Sequence, residues 1–223
     1  MSIQRTLLTP AVLGLAPVVL LSSCTGVDYS EAFVVEQPVQ HMVLALGTGD
    51  LELTPSSDAR VHVERKISGW KGAVDLSTRV EDGVLYLSMD CQGPLGCTVD
   101  PRIRVPAGVS VEVVQDSGRI WVDGLDGAVD LTLSEGTVGG QGLSSPRVAV
   151  AVANGDVDLV LDQAPAAVQI AVGMGDVMLE LPAGAYDLDA RGAAPWVTGI
   201  DALEGAPVVD LSVGSGQVTV RGQ

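Results

Sequence analysis

Ile170-Ala171-Val172-Gly173-Met174-Gly175-Asp176-Val177-Met178-Leu179 is the stretch on which the fold turns. Ile170 and Val172 alternate with small residues, a Gly-x-Gly-Asp corner follows, and Val177, Leu179 and Leu181 then alternate with Met178 and Glu180. Period-two alternation of apolar residues is the signature of a strand with one buried face. The corner glycine opens backbone angles that a β-carbon forbids. The same pattern recurs at 44–53 (LALGTGDLEL), 150–159 (VAVANGDVDL) and 211–220 (LSVGSGQVTV), and more loosely at 113–122 (VVQDSGRIWV) and 131–138 (LTLSEGTV).

The repeated corner residues are Gly49-Asp50, Gly118, Gly136, Gly155-Asp156, Gly175-Asp176 and Gly216. From Gly118 onward they fall 18, 19 and 20 residues apart, and Gly216 lies 41 beyond Gly175 with a degenerate copy, Leu188 to Gly199, in the interval. Two all-β architectures accommodate this. In a parallel β-solenoid each unit of about 20 residues is one coil, and equivalent strands pair in parallel. In an antiparallel β-sandwich each corner would instead be a hairpin turn between neighbours. The regular step and the aligned corners favour the solenoid. Asp beside the glycine is expected to bond local amides and to line one edge as a ladder. Pro106-Ala107-Gly108, Pro182-Ala183-Gly184 and Gly205-Ala206-Pro207 mark the outer turns.

Residues 30–112 are less regular, although Val61-His62-Val63, Val74-Asp75-Leu76, Val84-Leu85-Tyr86 and Ile103-Arg104-Val105 still read as strands. This half carries His41, His62, Lys66 and Lys71 and is expected to form broader coils or an N-terminal cap, since terminal repeats are atypical.

Ahead of the repeats, a single Arg5 precedes an apolar run from Leu7 to Leu21. That run is short for a membrane span of about 20 residues, and Pro10, Gly14 and Pro17 weaken it further. A basic start, an apolar core and small residues describe a secretory signal. Its end, Leu21-Ser22-Ser23-Cys24, resembles the bacterial lipobox. The resemblance implies cleavage after residue 23 and diacylglyceryl modification of Cys24. It also implies outer-membrane sorting, because Thr25 follows where Asp would signal inner-membrane retention. The expected organisation is a signal peptide over 1–23, the lipidated cysteine and tether over 24–38, and one β-domain over 39–223.

The chain has 28 acidic and 12 basic residues, a formal charge of −16. Loss of Arg5 with the leader would make it −17. Such a surface repels nucleic acid and suits cationic partners. Disorder does not explain the acidity, because the chain is rich in β-branched residues. Cys91 and Cys97 flank a Gly-Pro-x-Gly loop, which in an oxidising compartment reads as a local disulfide.

The Gly-x-Gly-Asp corners at 47–50 and 173–176, with the variants at 154–156 and 214–216, resemble bacterial adhesin-like families of unknown function built from β-strand repeats. Among them are the GIN-type heads of auto-transporter adhesins and the toast-rack domains of envelope-stress proteins. The resemblance spans residues 40–222 and implies a right-handed parallel β-solenoid. It brings no catalytic residues.

Little in the sequence points to catalysis. His41 and His62 sit on strand-like stretches with no reactive serine or cysteine nearby in sequence. Gly47-Thr48-Gly49-Asp50 lacks the lysine and following helix of a phosphate loop. Asp50, Asp156 and Asp176 occupy equivalent corners and are read as turn formers rather than calcium ligands. Trp70, Trp121 and Trp196 are expected in the core or capping the ends of the stack, not as a sugar-binding surface. The expectation is therefore a non-enzymatic envelope lipoprotein without cofactor or metal. It would be held to the outer membrane by lipid and would bind an unknown protein or glycan as an adhesin or surface scaffold. A periplasm-facing subunit of an envelope-stress or assembly system is the alternative, and a polysaccharide-active enzyme the third.

Overall fold

The structure is a computed structural model that describes residues 27–69, 74–91 and 96–223. The leader, the lipobox with Cys24, Trp70 and Lys71 lie outside the described residues. The described chain is all-β, with seventeen strands and no helix.

Three long strands organise it: β2 (His41–Pro55), β7 (Ser110–Asp123) and β8 (Val129–Leu143). Each runs through its corner glycine without a break and pairs in parallel on both sides of it, Leu44 with Val113 and Leu53 with Val122, Val113 with Leu131 and Val122 with Gly140. Later units break at the corner. β9 (Arg147–Asn154) gives way to β10 (Val157–Leu161), β11 (Ala167–Met174) to β12 (Val177–Leu181), and β16 (Val208–Ser215) to β17 (Val218–Gly222). Strands on the two sides of one corner do not pair with each other. β9 pairs in parallel with β11 and β10 with β12, each residue meeting its equivalent 20 positions on. No hairpin pairing joins the two strands at these corners.

Two sheet flanks result, meeting along the line of corners. Alternation aims Met42, Leu44, Val113, Leu131, Val150, Ile170 and Leu211 inward from one flank. Leu53, Ile120, Val138, Leu159, Leu179 and Val220 point inward from the other, and all join a single hydrophobic core. The returns between flanks are short, as at 144–146 and 162–166, and they stack as well: Ser144 donates its N–H to the Leu125 carbonyl at 2.9 Å and Asp162 to that of Leu143 at 2.8 Å.

The end of the stack departs from chain order. β16 pairs with β11 directly, Ile170 facing Leu211, so the 41-residue step is one layer and not two. The degenerate copy, β13 (Ala185–Arg191) with β14 (Trp196–Thr198), lies outside it: β13 pairs with β16, and β14 with β17. The last strands thus insert between their predecessors and an edge layer, which β15 (Asp201–Ala202) extends by pairing with β13.

The first third, expected to form broader coils or a cap, contains antiparallel pairing. β3 (Val61–Gly69) runs antiparallel to both β1 (Val27–Val35) and β6 (Cys97–Val105). β4 (Val74–Glu81) and β5 (Val84–Cys91) form an antiparallel hairpin. Its turn is Asp82-Gly83, with φ of +49° and +78°, the two positive angles that match strand twist in a two-residue hairpin. β5 and β6 then pair with β2 in parallel and lead into the regular part. Residues 27–35, within the span read as a tether, form strand β1. Phe33 and Val35 pack toward the core, and Glu31 accepts hydrogen bonds from the buried Arg65 at 2.6 and 2.9 Å. The Cys91–Cys97 disulfide, with Cα atoms 5.4 Å apart, ties the end of β5 to the start of β6.

Candidate functional site

The corner residues come together as one column. A β-carbon on Gly118 would lie 1.9 Å from the carbonyl oxygen of Gly49, one on Gly136 1.8 Å from that of Gly118, and one on Gly155 1.6 Å from that of Gly136. Gly175 meets Gly155 at 2.1 Å and Gly216 meets Gly175 at 1.8 Å in the same way. Each corner thus leaves room only for hydrogen above the carbonyl of the layer below, and the φ values of +118° to +156° also favour glycine.

The aspartates work between layers rather than locally. Asp156 Oδ1 accepts the N–H of Asp176, and Asp176 Oδ1 that of Gln217, both at 2.8 Å. At the other end Asp100 Oδ1 accepts the N–H of Asp50 at 3.0 Å, and Asp50 Oδ1 that of Arg119 at 3.1 Å. The carboxylates so accept amides of the neighbouring layer at the bend. Among the described residues no group of three or more His, Cys, Asp or Glu side chains could hold a metal ion.

One polar constellation is invisible in the sequence. His41 Nδ1 lies 2.7 Å from Ser110 Oγ, and its Nε2 is 3.7 Å from Glu112 Oε2, because β2 and β7 align residues 69 apart. It lacks the parts of a hydrolase. The carboxylate is beyond hydrogen-bond range. The Ser110 and Val111 amides already donate to the Gln40 and Ala128 carbonyls, so neither is free to form an oxyanion hole. His62 serves structure in the β2–β3 turn, its Nε2 2.9 Å from Asp58 Oδ1. That bond, with the Arg60 N–H next, holds the Asp58 carboxyl well below the usual carboxylate range.

A cleft of about 470 Å³ lies on the outer face of the second flank, over β6, β2 and β7. Outward positions on successive strands place Glu64, Arg102, Glu52, Trp121 and Gly139 in one cross-strand row. Arg102 Nε meets Glu52 Oε2 at 3.1 Å, and Arg119 Nη2 meets Asp50 Oδ2 at 2.8 Å. Trp121 is 37% exposed and leans away from Glu52, its Cζ3 and Cε3 lying only 2.5 and 2.6 Å from where a Gly139 β-carbon would be. Glycine at 139 is what lets the indole settle across β8 and form one wall of the cleft. A second depression of about 370 Å³, lined in part by Ala32, Val34, His62, Glu64 and Arg104, joins the first through Glu52 and Arg102.

The same row continues through Asp158, Met178 and Thr219 to Trp196, which is 66% exposed. Five strand steps of about 4.8 Å separate the two tryptophans by roughly 24 Å. Neither is a core residue, and Trp196 lies on the edge layer at the end of the stack. Strand parity places Trp121: it lies between inward Ile120 and Val122, so it must face out.

Neither a family model nor a curated protein sequence matches the chain. Among solved structures, a "putative cell adhesion protein" from Clostridium sporogenes aligns with a TM-score of 0.51 at 14% identity, over 88% of this chain and 100% of that one. A "putative adhesin" from Bacteroides fragilis aligns at 0.40 with 16% identity, over 87% and 96% of the two chains. A "putative lipid binding protein" from Parabacteroides distasonis aligns at 0.36 with 12% identity, over 86% and 96%. The likeness to the clostridial protein is one of fold, and the two weaker ones carry no weight.

Proposed function

We propose that the chain is a lipid-anchored, non-catalytic envelope lipoprotein that serves as an adhesin or surface scaffold. Its layers are read as the coils of a right-handed β-solenoid. Cleavage after residue 23 would leave Cys24 as the acylated N-terminus, and two or more acyl chains suffice for stable anchoring. The supporting observation is the outer face of the second flank: parallel layers in register present one uninterrupted sheet surface with an open polar cleft. The groups in it that could do chemistry are engaged. Asp50, Glu52 and Asp100 all accept hydrogen bonds or ion pairs from guanidinium or backbone N–H. This argues against the polysaccharide-active reading, although carboxylates and an aromatic do share one cleft.

A periplasm-facing subunit of an envelope-stress or assembly system is the second reading. It is favoured by the start of β1 at Val27, three positions after Cys24, which would seat the domain on its membrane without a stalk.

The anchor is tested by fractionating cells that express the full chain. The wild-type protein is expected in the membrane fraction with a diacylated N-terminal peptide by mass spectrometry, and Cys24→Ser in the soluble fraction. A wild-type protein that stays soluble and unacylated would refute the lipoprotein reading.

A further inference from the structure

We propose that the Trp121 cleft is a subsite for a neutral pyranose saccharide, an inference that rests on the binding-module reading above and gives its ligand a chemical class. A pyranose ring has a C–H face and a rim of hydroxyls, each both donor and acceptor. The cleft offers a matching set. The Trp121 indole, 37% exposed, supplies an aromatic wall. Glu52 beside Arg102, and Asp50 beside Arg119, put a carboxylate acceptor next to a guanidinium donor at two places along the floor.

These partners are held before any ligand arrives. Each carboxylate is paired with its arginine, and that of Asp50 also accepts the Arg119 N–H. Preorganisation of this kind lowers the ordering cost of binding. Arg102, Glu52 and Trp121 stand on three adjacent strands about 4.8 Å apart, so a short chain laid across the strands meets a new partner at each one. The neighbouring depression reached through Glu52 and Arg102 continues that path toward β3 and β1.

Competing ligands fit less well. An acidic sugar would meet arginines whose charge Glu52 and Asp50 already balance, on a chain of net charge −16. An extended peptide binds by adding a strand to a free sheet edge. Here β6, β2 and β7 are interior strands, bonded on both sides.

The test uses the full-length lipoprotein in detergent, titrated with maltotriose, cellotriose, chitotriose, xylotriose and mannotriose. Trigalacturonate and an extended mixed-sequence peptide are the competitors, with tryptophan fluorescence and calorimetry as readouts. At least one neutral trisaccharide is expected to bind saturably and shift the emission to the blue. Trp121→Ala should weaken it by about tenfold or more, the loss of an aromatic contact. Gly139→Val should also weaken it by displacing the indole, while Trp196→Ala, too distant for a trisaccharide to reach, should leave affinity unchanged. Should Gly139→Val fail to fold by circular dichroism, Trp121→Ala decides alone. No saturable binding of any neutral trisaccharide, binding indifferent to Trp121→Ala, or tighter binding of trigalacturonate or peptide overturns the proposal. Because the titration is done on isolated protein, a periplasmic location would leave its result untouched, so the two readings fail separately.

Discussion

Replacing Gly155 by alanine puts the stacking of corners to a direct thermodynamic test. At φ +142° an L-residue is strained, and its β-carbon would sit 1.6 Å from the Gly136 carbonyl oxygen and 2.7 Å from the carbonyl carbon. Both are backbone atoms in a strand that also pairs with the layer below, so neither can yield as a side chain would. The strained backbone costs about 1–3 kcal/mol. Forcing the layers apart costs about as much again. Removing a glycine returns only about 0.4–1 kcal/mol through the unfolded chain. The expected loss is therefore roughly 3 kcal/mol, a large share of the ~5–15 kcal/mol that holds a domain folded. For a chain of this size it lowers Tm by roughly 6–12 °C. Gly108→Ala is the matched control, since φ there is +73° but nothing lies within 4 Å of the added atom. It should cost only about 1 kcal/mol. Urea denaturation of the two variants, followed by circular dichroism, measures the difference. Equal costs would show that the corner column does not require glycine for steric reasons.

Three further outcomes are expected. Cys91→Ser keeps the fold but loses about 2 kcal/mol, the chain-entropy value for closing a loop between residues six apart, and complete unfolding would show that the bridge does more. Asp176→Ala leaves the Gln217 amide without its acceptor and costs about 1 kcal/mol, whereas an unchanged denaturation midpoint would remove the interlayer role of the carboxylate. Asp58 has a folded pKa below its unfolded value of about 3.9, so the stability it contributes is fully present above about pH 4 and is lost as pH falls toward the folded pKa. A carboxyl NMR titration should find Asp58 still ionised at about pH 3. In His62→Phe it should titrate nearer the ordinary aspartate value, and an unmoved titration would rule His62 out as the main cause.

What the sequence made legible was the local part of the fold. Alternation on either side of Gly155 and Gly175 placed the strands, and the spacing of the glycines aligned the corners, because both signals are short-range and set by backbone geometry. Order along the stack was not legible. Nothing in the 41 residues between Gly175 and Gly216 announces that β16 inserts ahead of β13, since the alternation marks strands and not their pairing partners. Glu81-Asp82-Gly83-Val84 did carry a readable hairpin signal, an Asp-Gly pair between alternating strands, but a reading centred on repeats passes over it. The cleft was hidden for a different reason. Glu52, Arg102 and Trp121 are far apart in the chain and meet only through pairing registers of 50 and 69 residues. Strand parity alone could have turned Trp121 outward, and Gly139, which lacks a corner role, was the clue to where its indole lies.

Protease shaving of intact cells, with lysed cells as control, tests the central claim most directly. An adhesin or surface scaffold must act outside the cell, so the folded domain is expected to be digested from intact cells carrying the full chain. Protection until lysis would contradict that claim and put the domain in the periplasm, in favour of the envelope-stress or assembly role.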